Sequence, residues 1–254
     1  MSLVLRSPQE IQAWRTAQSR PGIKIGFVPT MGALHRGHET LLQQARQECD
    51  LVVLSIYVNK TQFNDPQDFE KYPLTWEEDL NLAKKNSVDL VFAPRFEDMY
   101  PDQYLYKVSE QQFSHELCGK DRPGHFDGVL TIVMKLLNLV RPDRAYFGEK
   151  DFQQLRLIQG MIEAFFMSCL VVPVETVREA GGLALSSRNQ RLSPEERLKA
   201  SLIYRVLKDS KTPAEAIQKL EREQWKVDYV IDRDQRRFAA VRIGEVRLID
   251  NVQI

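Results

Sequence analysis

Two histidines stand three residues apart where a strand is predicted to turn into a helix. The segment Phe27–Leu42 reads FVPTMGALHRGHETLL: a strand end, a loop containing Gly32, and a helix that begins near His35 and His38. A helix start offers unpaired backbone N–H groups and the positive end of the helix dipole, and both attract anions. Imidazoles three residues apart lie on one side of the first turn, where each can donate to a phosphate oxygen. The pattern predicts a cradle for nucleotide phosphates.

This histidine pair has two other interpretations. Both residues could be ordinary surface or capping histidines, because their spacing alone does not require a ligand. A zinc site would need a third ligand, and no glutamate follows His35 as it does in zinc-binding helices. Gly32 and Gly37 lack a Cβ and let phosphates approach the backbone, so the local sequence favours phosphate binding.

Polar residues follow a second predicted strand. Asn59 and Gln62 come directly after the apolar run Leu51–Val58, which is typical of an interior strand of a parallel sheet. Ligands of such sheets bind beyond the carboxyl ends of the strands. Amide side chains both donate and accept, which suits a substrate with hydroxyl and carboxylate groups. An exposed turn is the alternative.

A lysine marks a third strand end. Gly148 and Lys150 lie between the predicted strand 144–147 and the predicted helix 152–166, where a lysine can meet a polyphosphate. Asp151 and Gln154 have the spacing of an N-cap residue and its partner in the first turn, so capping is an alternative role for both.

Two further loops contain candidate phosphate-binding residues. Ser186, Ser187 and Arg188 follow the predicted strand 170–177, and hydroxyls with a guanidinium make a phosphate clamp; a serine-rich linker is the alternative. Arg122 and His125 lie in a glycine-bearing loop, 119–128, which could be a mobile flap over the ligand or a surface connection.

The segment 29–38, PTMGALHRGH, resembles the signature of the pantoate–β-alanine ligase family, within the HIGH-type nucleotidyltransferase superfamily. Similar family motifs occur at 58–63 (VNKTQF), 147–155 (FGEKDFQQL), 178–189 (REAGGLALSSRN) and 247–251 (RLIDN), so the resemblance spans almost the whole chain. The chain departs from the family pattern at Lys60, Gly181 and Leu185, where proline, aspartate and methionine are usual. The region between Lys208 and Arg237 is shorter than usual.

The resemblance implies an ATP-dependent condensation of (R)-pantoate with β-alanine through pantoyl adenylate, with release of AMP and pyrophosphate and with Mg²⁺ bridging the phosphates. It implies the following residue roles, with the metal ligands left unassigned. Catalysis is assigned to His38, His35, Lys150 and Arg188; ATP binding to Met31, Gly32, His35, His38, Gly148, Lys150, Asp151, Val177, Leu185, Ser186, Ser187 and Arg188; and pantoate or β-alanine binding to Gln62, Gln154 and Asn59. Two other functions are considered: adenylyl transfer to a different acid or nucleotide, and nucleotide binding without catalysis.

The expected fold is α/β, with a Rossmann-like parallel sheet that carries the HIGH-motif helix and a small α+β C-terminal lid domain. We expect the domains to span 1–177 and 178–254. Capping signals at Ser193 and Thr212 predict helices 193–208 and 212–223, followed by three short antiparallel strands. A further short strand is predicted at 105–108.

Composition narrows the class of protein. The 254 residues contain 35 basic and 35 acidic side chains, so no charge imbalance predicts nucleic acid or membrane as a partner. Three cysteines without metal-type spacing suggest free thiols, and neither a signal peptide nor a membrane span is predicted. We therefore expect a cytoplasmic enzyme with small-molecule partners, and the family resemblance implies a homodimer.

Overall fold

A computed structural model describes residues 2–254 and contains two β-sheets. The first is a six-stranded, fully parallel sheet with the order β1-β4-β3-β2-β5-β6. The second is a three-stranded antiparallel sheet with the order β7-β8-β9. The strands are β1 (Leu3–Leu5), β2 (Ile25–Thr30), β3 (Leu51–Ile56), β4 (Leu90–Phe92), β5 (Arg144–Gly148), β6 (Leu170–Val174), β7 (Lys226–Arg233), β8 (Arg236–Ile243) and β9 (Val246–Gln253). The predicted fold class is confirmed.

Helices cover both faces of the parallel sheet. The helices are α1 (Pro8–Ala17), α2 (Arg36–Glu48), α3 (Pro66–Glu70), α4 (Trp76–Lys85), α5 (Phe96–Met99), α6 (Cys118–Asp121), α7 (His125–Val140), α8 (Phe152–Ala164), α9 (Pro194–Ala200), α10 (Leu202–Asp209) and α11 (Pro213–Glu221). One apolar core contains residues of α1, α7 and α8, and the other contains residues of α2 and α4. Both faces are covered, which explains the continuous apolar run of β3. No helix within residues 2–254 is long and apolar enough to cross a membrane.

The strand order determines where a ligand can bind. From β2 the chain runs outward through β3 and β4, and then returns to the other side of β2 to form β5 and β6. In parallel sheets the crevice at such a reversal, beyond the carboxyl ends of the strands, holds the ligand. Here that crevice lies between the end of β2 at Thr30 and the end of β5 at Gly148.

The C-terminal residues form a third apolar core. Helices α9, α10 and α11 pack with the antiparallel sheet around buried residues such as Leu207, Leu220 and Val241. The predicted helix 193–208 is in fact two helices that meet at Ser201, whose hydroxyl donates to the carbonyl of Leu198 at 2.6 Å. A side chain that competes for backbone groups in this way interrupts a helix.

Two local predictions are wrong. Residues 105–108 form no strand, because the N–H groups of Leu105 and Tyr106 donate back to the carbonyl and carboxylate of Asp102 and close a turn. Strand β1 at the edge of the parallel sheet was not predicted, because its three residues are too few to show a periodic pattern.

Candidate active site

A cavity of about 240 Å³ lies at the carboxyl ends of β2, β3, β5 and β6. Each of these strands contributes the residues that follow its last position, so segments far apart in sequence meet around one space. The cavity is lined by every residue that the sequence assigned to a site except Gly32: Met31, His35, His38, Asn59, Gln62, Gly148, Lys150, Asp151, Gln154, Val177, Leu185, Ser186, Ser187 and Arg188.

Both histidines cap the helix that carries them. His35 is the N-cap of α2, and its Nδ1 accepts the N–H of Gly37 at 3.1 Å. The Nδ1 of His38 accepts the N–H of His35 at 3.3 Å. Because each Nδ1 is an acceptor, the proton of each neutral ring lies on Nε2. Capping and ligand binding are therefore compatible, since each ring keeps one N–H for a ligand.

The electrostatics keep the two rings neutral. Burial, followed by the nearby Lys150 cation, lowers the pKa of His35 to about 4. Burial, followed by His35 and Lys150, lowers the pKa of His38 to about 3. At neutral pH the pair therefore offers two N–H donors without charge, and Lys150 supplies a positive charge close by.

The loop that leads into α2 is shaped by a buried acid. Asp79 of α4 is only 2% exposed, and its carboxylate accepts the N–H groups of Ala33 at 3.0 Å and Leu34 at 2.7 Å. Burial raises its pKa. Gly32 has φ +80°, and a Cβ there would lie 2.9 Å from an Asp79 oxygen, so glycine is required. Gly32 does not line the cavity, and its φ supports a role in loop shape; its ATP contact stays a prediction.

Asp79 lies in the first turn of α4, where an acid complements the helix dipole. The sequence around it also shows that it faces the interior. Trp76, Asp79, Leu80 and Ala83 follow the i, i+3, i+4, i+7 spacing of an inward helix face, so the acid faces the interior. A charged residue on such a face usually holds a specific partner.

Asn59 is 1% exposed and uses all of its hydrogen-bonding groups within the protein. Its Nδ2 donates to Gln62 Oε1 at 3.0 Å and to the Gly128 carbonyl at 3.1 Å. Its Oδ1 accepts the hydroxyls of Thr61 at 3.0 Å and Tyr100 at 2.9 Å. An amide makes about four such bonds, and Asn59 makes four within the protein, one of which orients Gln62; its contact with the substrate stays a prediction.

Arg122 and His125 also contact the Gln62 segment. His125 begins α7 rather than lying in a loop, and its Nδ1 donates to the Gln62 carbonyl at 2.8 Å. Its Nε2 then accepts from the Arg122 guanidinium at 3.1 Å, and a second Arg122 N–H donates to the same Gln62 carbonyl at 3.2 Å. Burial, followed by the Arg122 cation, lowers the pKa of His125 to about 3. The side chains of Arg122 and His125 therefore line the cavity, although Lys120, Asp121, Pro123 and Gly124 beside them are exposed.

The Lys150 turn is held by the second sheet. Asn251 of β9 donates through Nδ2 to the carbonyls of Glu149 at 2.9 Å and Lys150 at 3.0 Å. Arg236 of β8 bridges Asn251 Oδ1 and the Glu149 carboxylate, at 2.6 Å each. Asp151 holds the N-cap position of α8, as its spacing suggested, but among the described residues its side chain makes no capping hydrogen bond. Sequence reasoning did not connect Asn251 with the turn.

The serine and arginine loop lines the same cavity as the histidines. Ser186 is an N-cap whose hydroxyl accepts the N–H of Arg188 at 3.2 Å. The Ser187 hydroxyl lies 3.4 Å from that of Tyr72. The Arg188 guanidinium donates to the Asp68 carboxylate at 2.8 Å, which ties α3 to this loop.

The parallel sheet and a cavity lined by the capped neutral histidine pair, Lys150 and Arg188 define a nucleotide-binding enzyme of the Rossmann-like class. A family model described as pantoate-beta-alanine ligase matches residues 3–253. The chain belongs to the pantoate-β-alanine ligase family.

Curated relatives support this family over the full length. A pantothenate synthetase of Bdellovibrio bacteriovorus is 64% identical over 254 residues, which cover 100% of both chains. A pantothenate synthetase of Legionella pneumophila is 49% identical over 231 residues, covering 91% of this chain and 92% of the relative.

Solved structures agree with the fold. The crystal structure of pantoate-beta-alanine ligase from Francisella tularensis, complexed with beta-gamma ATP and beta-alanine, has a TM-score of 0.95 and 38% identity, and the match covers 100% of this chain and 98% of that one. Pantothenate synthetase from Thermus thermophilus has a TM-score of 0.89 and 40% identity, with 99% of each chain covered.

Proposed function

We propose that this enzyme condenses (R)-pantoate with β-alanine, using ATP and releasing AMP and pyrophosphate through a pantoyl-adenylate intermediate. The observation that carries the proposal is one cavity in which His35, His38 and Lys150 lie together with the amides of Gln62 and Gln154. Family membership and the ligands of the Francisella tularensis structure support the same reaction.

The first step needs charge stabilisation more than proton transfer. A pantoate carboxylate oxygen attacks the α-phosphorus of ATP, and the bond to the pyrophosphate oxygen breaks. In our proposal the Nε2–H groups of His35 and His38 and the Lys150 ammonium bind the phosphate oxygens on which negative charge develops. Fixed donors of this kind are effective because they are oriented before the reaction begins.

In the second step the β-alanine amine attacks the acyl carbon. The amide C–N bond forms, the bond to the AMP oxygen breaks, and the nitrogen loses a proton to solvent. Adenylation makes this step possible because AMP is a far better leaving group than the oxygen of a free carboxylate.

The cavity wall suits pantoate. Helix α7 contributes Val129, Ile132, Val133 and Leu136 to the lining, which gives an apolar surface for the two methyl groups of pantoate. The amides of Gln62 and Gln154 supply donors and acceptors for its hydroxyl and carboxylate groups.

We propose that Mg²⁺ enters bound to the phosphates of ATP. Residues 2–254 contain no group of three or more His, Cys, Asp or Glu side chains placed to hold a metal ion. The described part of the chain therefore offers no preformed metal centre, and every step above is assigned to its own side chains.

The proposed function is tested by measuring the release of AMP from ATP in the presence of Mg²⁺. Four conditions are compared: pantoate alone, β-alanine alone, both substrates, and neither. We expect full turnover only with both substrates, and pantoate-dependent exchange of labelled pyrophosphate into ATP without β-alanine. ATP binding without AMP release under any combination would indicate the non-catalytic alternative. AMP release with a different acid but not with pantoate would indicate another adenylyltransferase.

We propose 1–177 and 178–254 as the two domains. The last strand of the parallel sheet ends at Val174, and the core of the antiparallel sheet includes residues from Leu183 onward. The cytoplasmic location stays a prediction, and the three free cysteines support it because thiols stay reduced in that compartment.

We also propose a homodimer formed along β6. This edge strand lies beside apolar side chains left in solvent: Phe165 is 56%, Phe166 93% and Leu170 55% exposed. Exposed apolar residues at a sheet edge favour association. Sedimentation should give twice the chain mass, and Phe166→Asp should shift the protein towards the monomer.

A further inference from the structure

Arg122 lies where two cavities meet. The cavity of about 240 Å³ described above and a neighbouring one of about 330 Å³, between the parallel sheet and the C-terminal residues, are both lined by Arg122. Arg122 is half-buried, and its guanidinium contacts the Gln62 backbone, so it lies beside the proposed acid-substrate site.

Arg122 differs from the other arginines around these cavities, because it has no acidic partner. Within residues 2–254 no carboxylate oxygen lies within 4.0 Å of its guanidinium, and its two hydrogen bonds go to the Gln62 carbonyl and to His125. The other cavity arginines are each paired: Arg188 and Arg191 with Asp68, Arg242 with Asp228, and Arg247 with Asp228 and Asp121.

A buried cation without a counter-charge is costly, and the surroundings of Arg122 increase the cost. Burial, followed by the nearby Arg188 cation, lowers its pKa to about 10. The guanidinium has five N–H donors, and two are used, so three remain for a ligand. An anion bound there would relieve the unpaired charge and could accept two parallel hydrogen bonds.

We propose that Arg122 binds the carboxylate of β-alanine and so selects the amine substrate. This inference rests on the proposed ligase function. The phosphates of ATP already have proposed donors in Lys150, Ser186 and Arg188, which line the same cavity, whereas the Arg122 guanidinium contacts the backbone of Gln62. Two methylene groups separate the amine of β-alanine from its carboxylate, so anchoring the carboxylate at Arg122 directs the amine towards the acyl group beside Gln62.

The test compares β-alanine with β-alaninamide, which has the same length and amine but no carboxylate charge. We expect Arg122→Gln to lower kcat/KM for β-alanine about 10- to 100-fold, the worth of a charge-assisted hydrogen bond, and to leave kcat/KM for β-alaninamide unchanged. Pantoate-dependent pyrophosphate exchange, measured without either amine, should stay near the wild-type rate.

Two variants make the test specific. Arg122→Lys keeps the charge but loses the planar fork, so it should retain part of the preference for β-alanine. Arg191→Gln removes another cavity arginine, one that is paired with Asp68, and should leave the preference unchanged.

An unchanged preference in Arg122→Gln, or a fall in pyrophosphate exchange alone, would overturn the proposal and assign Arg122 to the phosphates. Wild-type enzyme that performs no pantoate-dependent exchange would instead refute the proposed function, so the two failures are distinguishable.

Discussion

His38→Asn separates the two roles that the structure gives to His38. The asparagine Oδ1 occupies nearly the position of the imidazole Nδ1, so it can still accept the N–H of His35, at 3.3 Å in the native protein. The side chain is too short to replace Nε2–H. The variant therefore keeps the helix cap and loses the proposed phosphate donor.

The two effects have different expected magnitudes. Loss of a capping side chain costs about 0.5–2 kcal/mol of stability, so His38→Ala should lower the free energy of unfolding by that amount and His38→Asn by less. Loss of one preorganised donor to a developing charge costs about 10²- to 10³-fold in rate, or about 2.7–4 kcal/mol. We expect both variants to show this loss of kcat.

Urea unfolding gives the stability, and pantoate-dependent pyrophosphate exchange gives the rate of the first step. His38→Gln is the matched control, because its amide nitrogen reaches towards the Nε2 position while the cap is lost. We expect it to recover part of the exchange rate lost in His38→Asn, but not the free energy of unfolding that the cap supplies. The reasoning would be refuted by a His38→Asn enzyme that exchanges pyrophosphate within about threefold of wild type.

Three further outcomes are expected. The pKa values of His35, His38 and His125 are lowered to about 4, 3 and 3 from about 6.5 in the unfolded chain, so the unfolded state binds more protons between about pH 6.5 and 4. Stability should therefore fall on acidification through this window; equal urea midpoints at pH 7.5 and 5.0 would contradict this. Asn59→Ala leaves its buried partners unsatisfied and should cost about 1–3 kcal/mol in urea unfolding while raising the KM of pantoate and not that of ATP; an equal rise in both would exclude orientation of the acid site. Asn251→Ala should slow pyrophosphate exchange by up to about 10²-fold with little change in pantoate KM; exchange at the wild-type rate would show that the Lys150 turn holds its shape alone.

Local patterns predicted much of this molecule. The apolar run of β3, the strand-to-helix turn at His35 and the lysine after β5 are features of neighbouring residues, and each leads to a correct element. The rule that ligands bind beyond strand ends then brings these turns together without knowledge of any contact.

Long-range partners could not be predicted in this way. Asn251 and the Glu149 carbonyl are 102 residues apart, and the Arg188 pair with Asp68 spans 120 residues. The residues around Asn251 and Asp68 show no local pattern that identifies these partners, because the sequence does not distinguish them from other amides and carboxylates. The complete internal bonding of Asn59 was missed for the same reason, since its hydroxyl partner Tyr100 lies at the end of helix α5, 41 residues away.

The hydrogen bonds between Asn251 and the Lys150 turn have a consequence for biosynthesis. During translation the N-terminal part of a chain emerges and folds first, and contacts between distant residues close last. The parallel sheet and the histidine pair can therefore form on the ribosome while β9 has yet to be made. The Lys150 turn acquires its last two hydrogen bonds only when β9 docks, about a hundred residues later. A nascent chain would thus hold a phosphate cradle before it holds its lysine in place, and adenylation would be slow until β9 has docked.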